Sequence, residues 1–459
     1  MTRPSVPGIP IHKNRVTAST LVRRALFIVV AALLIIPPLP VLPGIEGTAT
    51  KPASLGFQSG VRILRVSGSP YQVGFQHGAL LREDLRALLR DQLLSKVVWE
   101  GQASHSLILA YARRVDPHLP TALRQEIQGI ADGAGLPYHE LLAWNLLASF
   151  LADRETGNGV RQVIGGRQWS LPPPESSVLD SFRPPLAKGL PEGAGLHHLS
   201  LRCRSRPTQV SDPSTTSRAR PLPGGPGFAA WGVVMADREL RLAQLLPADG
   251  AGPYGTEPII VIAHPATGTP FLSITWPGVV GTVAGFNQAK LAVTVAGVST
   301  PDVTADGVPA TFLARQVLQY ATDEATSLTL LLATPRTGGA VVMLGDGKVP
   351  HAQRVEMSAY HYAVQENEDG FLFDPPTFIL QGELASEFQD DGSDSWPFPR
   401  DTVEQQLRMG RDPRTTALQA LQHAAHSGTS EWLILLEPAS QLATVQMENK
   451  PAQNLALGE

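Results

Sequence analysis

The spacing of apolar residues divides the chain from Val61 onward into stretches of two periods. The stretch "VRILRVSG" reads as a strand that a turn ends. Gly68-Ser69-Pro70 follows as a turn, with Ser69 as N-cap and Pro70 at the first helical position. Leu80, Leu81, Leu85, Leu88 and Leu89 then recur at helical spacing. "SLILAYARRV" and "TALRQEIQGIADGAGL" read as further helices, the latter stopping in the Gly133–Gly135 region. "PYHELLAWNLLASFLA" reads as a fourth, so residues 61–152 form a mainly helical N-terminal part.

Residues 153–226 lose this periodicity. Proline, serine, glycine and arginine dominate, and the segment reads as a flexible insertion unable to bury enough apolar surface to offset its ordering entropy. From Arg202 to Arg220, the arginines Arg202, Arg204, Arg206, Arg218 and Arg220 stand against only Asp212, a charge bias that suits either solvent or an acidic membrane surface.

Residues 227–459 return to strand patterns. "FAAWGVVMA" and "RLAQLLPA" read as strands, "EPIIVIAHPATGTPFLSITWPG" as a hairpin turning at Ala266–Thr269, and "VGTVAGFNQAKLAVTVAGVS" as another turning at Asn287–Lys290. "TFLARQVLQYATDEATSLTLLLATP" has helical period, "AVVMLGDG" and "AQRVEMSAYHYAVQE" return to strand, "TTALQALQHAAH" is a helix, and "EWLILLEPASQLATVQME" is a closing strand. Helices followed by meandering strands predict an α+β fold with a layered antiparallel sheet.

Residues 1–60 are a targeting segment and linker. Arg3, Lys13, Arg15, Arg23 and Arg24 precede the apolar run Ala25–Ile36, which prolines end. That is the order of a signal peptide, with Ala49 as a cleavage position, and the run is shorter than the roughly 20 residues a spanning helix needs. The expectation is export, with membrane attachment through this segment if it is not cleaved. Of the 459 residues 43% are hydrophobic and 17% charged, the composition of a globular core. A net charge of −4 gives no reason to expect nucleic acid. The single cysteine, Cys203, excludes an intramolecular disulfide.

Metal and phosphate signals are weak. His423 and His426 share a helical face without a third ligand, the acidic run Gln389–Ser395 lacks calcium-loop spacing, and Gly345–Lys348 is a hairpin turn. No cofactor and no metal is expected.

The order of "GSPYQVGFQHGALLRE", "EIQGIADGAGLPYHELLAWN", "GFAAWG", "SITWPGVVGTVAGFNQAKLAV" and "PATFLARQVLQYATDEA" resembles the acyl-coenzyme A:6-aminopenicillanic acid acyltransferase-like (isopenicillin-N acyltransferase-like) family of N-terminal-nucleophile (Ntn) hydrolases, over roughly residues 60–450. The resemblance implies an αββα four-layer sandwich. It also implies a precursor that cuts itself before a cysteine, whose thiol then attacks amides or thioesters with its own α-amine as base. The expected nucleophile slot falls on Gly225, followed by Pro226, and glycine cannot attack a carbonyl. The family's "G-R-N-x-D" run corresponds to "AQLLP", Ala243–Pro247, with Gln244, Leu245 and Pro247 replacing its polar groups. Asn287 matches the family's "G-x-N-x-x-G-L", where an amide can hold an oxyanion, although Lys290 stands for the later glycine. Asn287 equally suits a tight turn. Cys203, beside His197, His198, Arg202 and Arg204, is a candidate displaced nucleophile because nearby cations favour thiolate; Ser200 is a lesser one. Two readings follow: an exported amide- or thioester-processing enzyme with an unusual nucleophile, or a catalytically silent relative that keeps the frame and binds a small amide or thioester ligand or a partner. A structural protein of the cell envelope outside this family is a third.

Overall fold

The computed structural model describes residues 52–58, 60–99, 105–156, 224–247, 254–374, 380, 400–424, 431–447 and 450–458. The chain begins with the hairpin β1 (Ser54–Gln58) and β2 (Val61–Gly68). The linker expected to run to residue 60 therefore ends earlier, since β1 pairs along β2 from Ser54↔Arg65 to Gln58↔Val61. Helices α1 (Pro70–Leu80) and α2 (Arg82–Leu88) follow, then a π-helical stretch, Leu89–Trp99. Next come α3 (His105–Val115), α4 (Thr121–Ala134), α5 (Tyr138–Asn145) and α6 (Leu147–Thr156). The expected fourth helix is thus two, broken at Leu146.

The start of α1 forms as its sequence predicts. Ser69 Oγ accepts from Gln72 N, and Gln72 Oε1 accepts from Ser69 N, a reciprocal capping box ahead of Pro70. Helix α4 ends at Gly135, whose φ of 68° is the left-handed cap that glycine adopts without strain. Between these ends lies a feature that helical periodicity conceals. Gly74 and Gly78 of α1 lie against the backbone of α4, and Gly129 and Gly133 lie against that of α1. A Cβ at any of the four would stand 1.9–2.3 Å from a carbonyl oxygen of the other helix.

The second half holds β3 (Gly227–Ala230), β4 (Arg241–Pro247), β5 (Ile259–Pro265), β6 (Phe271–Thr275), β7 (Ala284–Asn287) and β8 (Leu291–Gly297). Helices α7 (Ala310–Tyr320) and α8 (Glu324–Leu332) come next, separated where Asp323 caps α8 by accepting from Thr326 N. Then follow β9 (Ala340–Asp346), β10 (His351–Met357), β11 (Tyr362–Glu366), β12 (Phe371–Asp374), α9 (Arg400–Met409) and α10 (Pro413–Ala424). The expected closing strand is a hairpin, β13 (Glu431–Glu437) and β14 (Leu442–Met447), and β15 (Gln453–Ala456) ends the described chain. A strand over all of "FAAWGVVMA" also fails: β3 stops at Ala230, and Gly232–Val234 is a 3-10 turn.

Among the described residues, nine strands form one sheet in the order β1-β2-β5-β6-β7-β8-β9-β10-β11, and six form a second in the order β12-β3-β4-β13-β14-β15. Every pairing is antiparallel except β2 with β5. The layers can be read from alternate residues. On β4, Leu242 and Leu246 face the larger sheet and join the main core, while Ala243 and Leu245 join a second core with Val403, Leu407, Ala417 and Leu421 of α9 and α10. Opposite Leu242 stands Gly345 of β9, where a Cβ would come within 2.6 Å of Leu242. Helices α1 and α7 pack on the outer face of the larger sheet. The fold is α+β, with helix, sheet, sheet and helix layers, as expected.

Candidate functional site

The strand β3 opens between the two sheets, where the resemblance places a nucleophile. Its entrance is closed to side chains. Gly224, with φ of 122°, has its missing Cβ position 2.3 Å from Val295 O and 2.8 Å from Ala296 Cα. At Gly225 the corresponding position is 2.7 Å from Leu245 O, under the closest approach that Cβ atoms make. Gly225 N donates to Leu245 O at 2.8 Å, and Leu245 N donates to Pro226 O at 2.9 Å, so the strand is zipped to β4 through the slot itself.

The row of residues beside this entrance is polar and buried. Gly227 pairs with Asp374 on one side and Gln244 on the other. Gln244 Nε2 donates across the layer to Val295 O at 3.0 Å, tying the sheets together, while its Oε1 has no hydrogen-bond partner among the described residues. Of the "AQLLP" run, therefore, one polar group faces the other sheet, and Ala243 and Leu245 face the helices. Arg354 and Glu356 of β10 come from the opposing sheet. Arg354 Nη1 donates to Glu356 and its Nε donates to Asp374 Oδ1 at 3.2 Å; the three side chains are 0%, 0% and 1% exposed. Burial pushes the Asp374 carboxyl up to about 6, with Arg354 opposing the shift and Glu356 adding to it. Sequence reasoning missed this cluster. The available signal was two opposite charges at i and i+2 inside "AQRVEMS", a stretch that reads as a strand.

Asn287 does not take part. Its Nδ2 donates to Leu318 O at 3.0 Å and to Ala321 O at 2.9 Å, and its Oδ1 accepts from Leu291 N at 3.0 Å. Both amide protons are committed, and none is left for an oxyanion. The residue is the tight-turn device that was its other reading, pinning the β7–β8 turn to the end of α7. It also lies at the far end of the strand: Val295 N donates to Val283 O at the level of Gly224, four residues before Asn287, roughly 13 Å along β7. Cys203, Ser200, His197, His198, Arg202, Arg204, His426 and the run Gln389–Ser395 lie outside the described residues.

A second polar clamp supports the neighbouring loop. His77 Nε2 accepts from Gly278 N at 2.9 Å. Trp144 Nε1 donates to Pro277 O at 2.8 Å, and Asn145 donates to Gly278 O at 2.7 Å and accepts from Val280 N at 2.8 Å. Burial lowers the His77 imidazole to about 4, so it acts as a neutral acceptor. Next to Val295 there is a half-enclosed cavity of about 30 Å³ between the end of β8, the start of α7 and the approach to β9; Tyr111 and Ser149 complete its wall. Among the described residues no group of three or more His, Cys, Asp or Glu is placed to hold a metal.

The two titrations differ in sign. Asp374, raised in the folded state, adds stability below its unfolded value of 3.8, and that stability is lost as pH rises through about 6. His77, lowered, adds stability above 6.5 that is lost as pH falls toward about 4. Asp374→Asn is therefore expected to be as stable as the parent near pH 4 and more stable at pH 7.5, by up to about 3 kcal/mol. Urea unfolding of both proteins across this range measures it. A difference independent of pH would show that Asp374 is ionised throughout.

No protein-family model matches the chain. An uncharacterised protein of Archaeoglobus fulgidus is 23% identical over 329 residues, 68% of this chain. The chain spans about half the length of that relative, 46%. Among solved structures, the Caenorhabditis elegans ortholog of N-acylethanolamine-hydrolyzing acid amidase is similar at a TM-score of 0.34 and 14% identity, covering 47% of this chain and 93% of its own. A variant of the conjugated bile acid hydrolase of Clostridium perfringens is similar at 0.32 and 13%, covering 52% and 93%. The layer order of this chain rests on its own contacts.

Proposed function

We propose that this chain keeps an acyltransferase- or amide-hydrolase-type αββα frame as a binding protein and forms no acyl-enzyme at the opening of β3. One observation carries the reading: Gly225 is packed against Leu245 O so closely that no nucleophilic side chain fits there. The obstacle is structural as well as chemical, because Leu245 O of β4 stands 2.7 Å from where a Cβ would be. The resemblance to isopenicillin-N acyltransferase-like proteins supports a small amide, thioester or related ligand. The arginines before Ala25–Ile36 support a location outside the cytoplasm, attached to the membrane wherever that segment is retained.

Intact mass of the purified full chain tests the reading. The expected result is one chain, shortened at most by signal cleavage. Two fragments, the second starting at Cys203 or at another Cys, Ser or Thr, would overturn it and identify the nucleophile. In the same direction, Gly225→Cys is expected to restore neither self-cleavage nor amide hydrolysis. It should lose about 1–3 kcal/mol of stability from overpacking against Leu245, as read by urea unfolding.

A further inference from the structure

We propose that β1 is a docking edge for a second copy of this chain, which pairs with it antiparallel about a two-fold axis at Gly56. The first support is the edge itself. Strand β1 ends the larger sheet, with β2 as its one strand neighbour among the described residues. A two-residue connection joins the two, so Gln58 and Val61 are the closing, hydrogen-bonded pair. The ladder alternates from there. Gly56 and Ser54 also turn their backbone groups to β2, while the N–H and C=O groups of Leu55 and Phe57 point away from it. No hydrogen bond joins these groups to a residue outside β2 among the described residues. The usual protections of an edge are missing as well: β1 holds no charge and no proline, and its register with β2 runs without a bulge.

The second support is Gly56. Glycine inside a strand costs conformational entropy, and it marks a bulge, a bend or the close approach of another group. Gly56 pairs with Ile63 in unbroken register. Its φ lies outside the left-handed region, and a Cβ there would meet nothing nearer than 3.9 Å, at Ile63 O and Arg65 Nη1. Nothing within one copy asks for glycine at this position. Close approach from the open side of the strand is the reason that remains.

The third support is that the strand complements itself, which selects a second copy as the occupant. About an axis at Gly56, that residue faces its own copy as a non-hydrogen-bonded pair, with Cα atoms about 4.5 Å apart. Leu55 then faces Phe57 of the second copy, and Phe57 faces its Leu55, as hydrogen-bonded pairs that use the free edge groups. Leu55 and Phe57 share one face of the sheet, so both new pairs there are apolar, and they cover a Phe57 side chain that is otherwise 71% exposed. On the other face Ser54 meets Gln58, polar against polar, and no charge opposes a like charge. Five residues bury less than the roughly 800 Å² per partner of a stable complex, so the dimer is a weak one that forms at micromolar concentrations and above. Its formation does not depend on what residue 225 can do.

The experiment uses the full chain. With Cys203→Ser as background, one introduced thiol reports the register. Gly56→Cys is expected to give a disulfide-linked dimer on mild oxidation, since Cα atoms about 4.5 Å apart lie within the roughly 4.4–6.8 Å that a disulfide spans. The added Cβ fits the single copy without a clash. Ser54→Cys and Gln58→Cys are each expected to stay uncrosslinked alone, their own copies being roughly 14 Å apart, and to crosslink with one another when mixed. In sedimentation velocity the parent chain is expected to dimerise reversibly. Phe57→Lys is expected to weaken that association about tenfold or more, with the Tm of the dilute protein unchanged, because the side chain is exposed and lysine blocks an edge. A parent that stays monomeric shows the edge to be free or covered by its own chain and overturns the proposal. Equal crosslinking at 54, 56 and 58 overturns the register. Parent-like association of Phe57→Lys overturns it too, and assigns the contact to another surface such as the apolar run Ala25–Ile36. None of these results touches the intact-mass test of the β3 reading, so the two fail separately.

Discussion

Arg354→Met is expected to lose about 3–5 kcal/mol of stability, a large part of what a domain has, and to be recovered poorly as folded protein. The physical cause is the pair of carboxylates it leaves behind. Glu356 and Asp374 are fully buried, one from each sheet, and the guanidinium lies between them. Without it Asp374 must take up a proton. Glu356 keeps the Leu380 N–H, which lies 3.0 Å from both its oxygens, but loses its counter-charge. The cost is that of an uncompensated buried charge, which greatly exceeds the net worth of the intact cluster. The control follows from the same argument. Combining Arg354→Met with Glu356→Gln and Asp374→Asn removes all three charges and is expected to recover most of the loss. Urea unfolding of the single and triple variants measures both. If the triple variant is as damaged as the single one, the packing volume of Arg354 rather than its charge holds the layers.

Gly74→Ala is expected to destabilise by about 2–3 kcal/mol or more, although alanine in an exposed helix would gain about 1 kcal/mol over glycine. The new Cβ would sit 1.9 Å from Glu126 O and 3.0 Å from Ile130 N, both backbone atoms that no rotamer change can move. Helices α1 and α4 would have to separate. Separation would also move His77, whose imidazole holds Gly278 N, and beyond it the loop whose Gly281 abuts Thr311 in the first turn of α7. Thermal unfolding gives the sign. A rise in Tm would show that the helices part easily and that their closeness is not a constraint.

These results bear on how the fold and the candidate site could be read from residues alone. Local order was legible. The capping box at Ser69, the left-handed Gly135, the turn at Gly268 and the short apolar runs that form β5, β6, β8 and β9 are set within a few residues, by backbone sterics and by run length. So was the α+β class. Breaks inside long apolar runs were not, at Leu146, at Ala321–Asp323 and at the β13–β14 turn, because periodicity continues across a change of direction.

The site shows the same division. That Gly225 carries no nucleophile is a fact of the sequence. That no substitution there could simply supply one was decided by the tertiary structure, which brings Leu245 O from β4 to within 2.7 Å of the missing Cβ. Asn287 has the residue type of an oxyanion holder, yet its protons go to Leu318 and Ala321, 31 and 34 residues away. Arg354 and Glu356 read as part of an ordinary strand until Asp374 of the second sheet meets them. A side chain's chemistry is local and can be read along the chain. Whether its hydrogen bonds, charge and volume are free for function depends on partners distant in sequence, and only the packing of the layers chooses them.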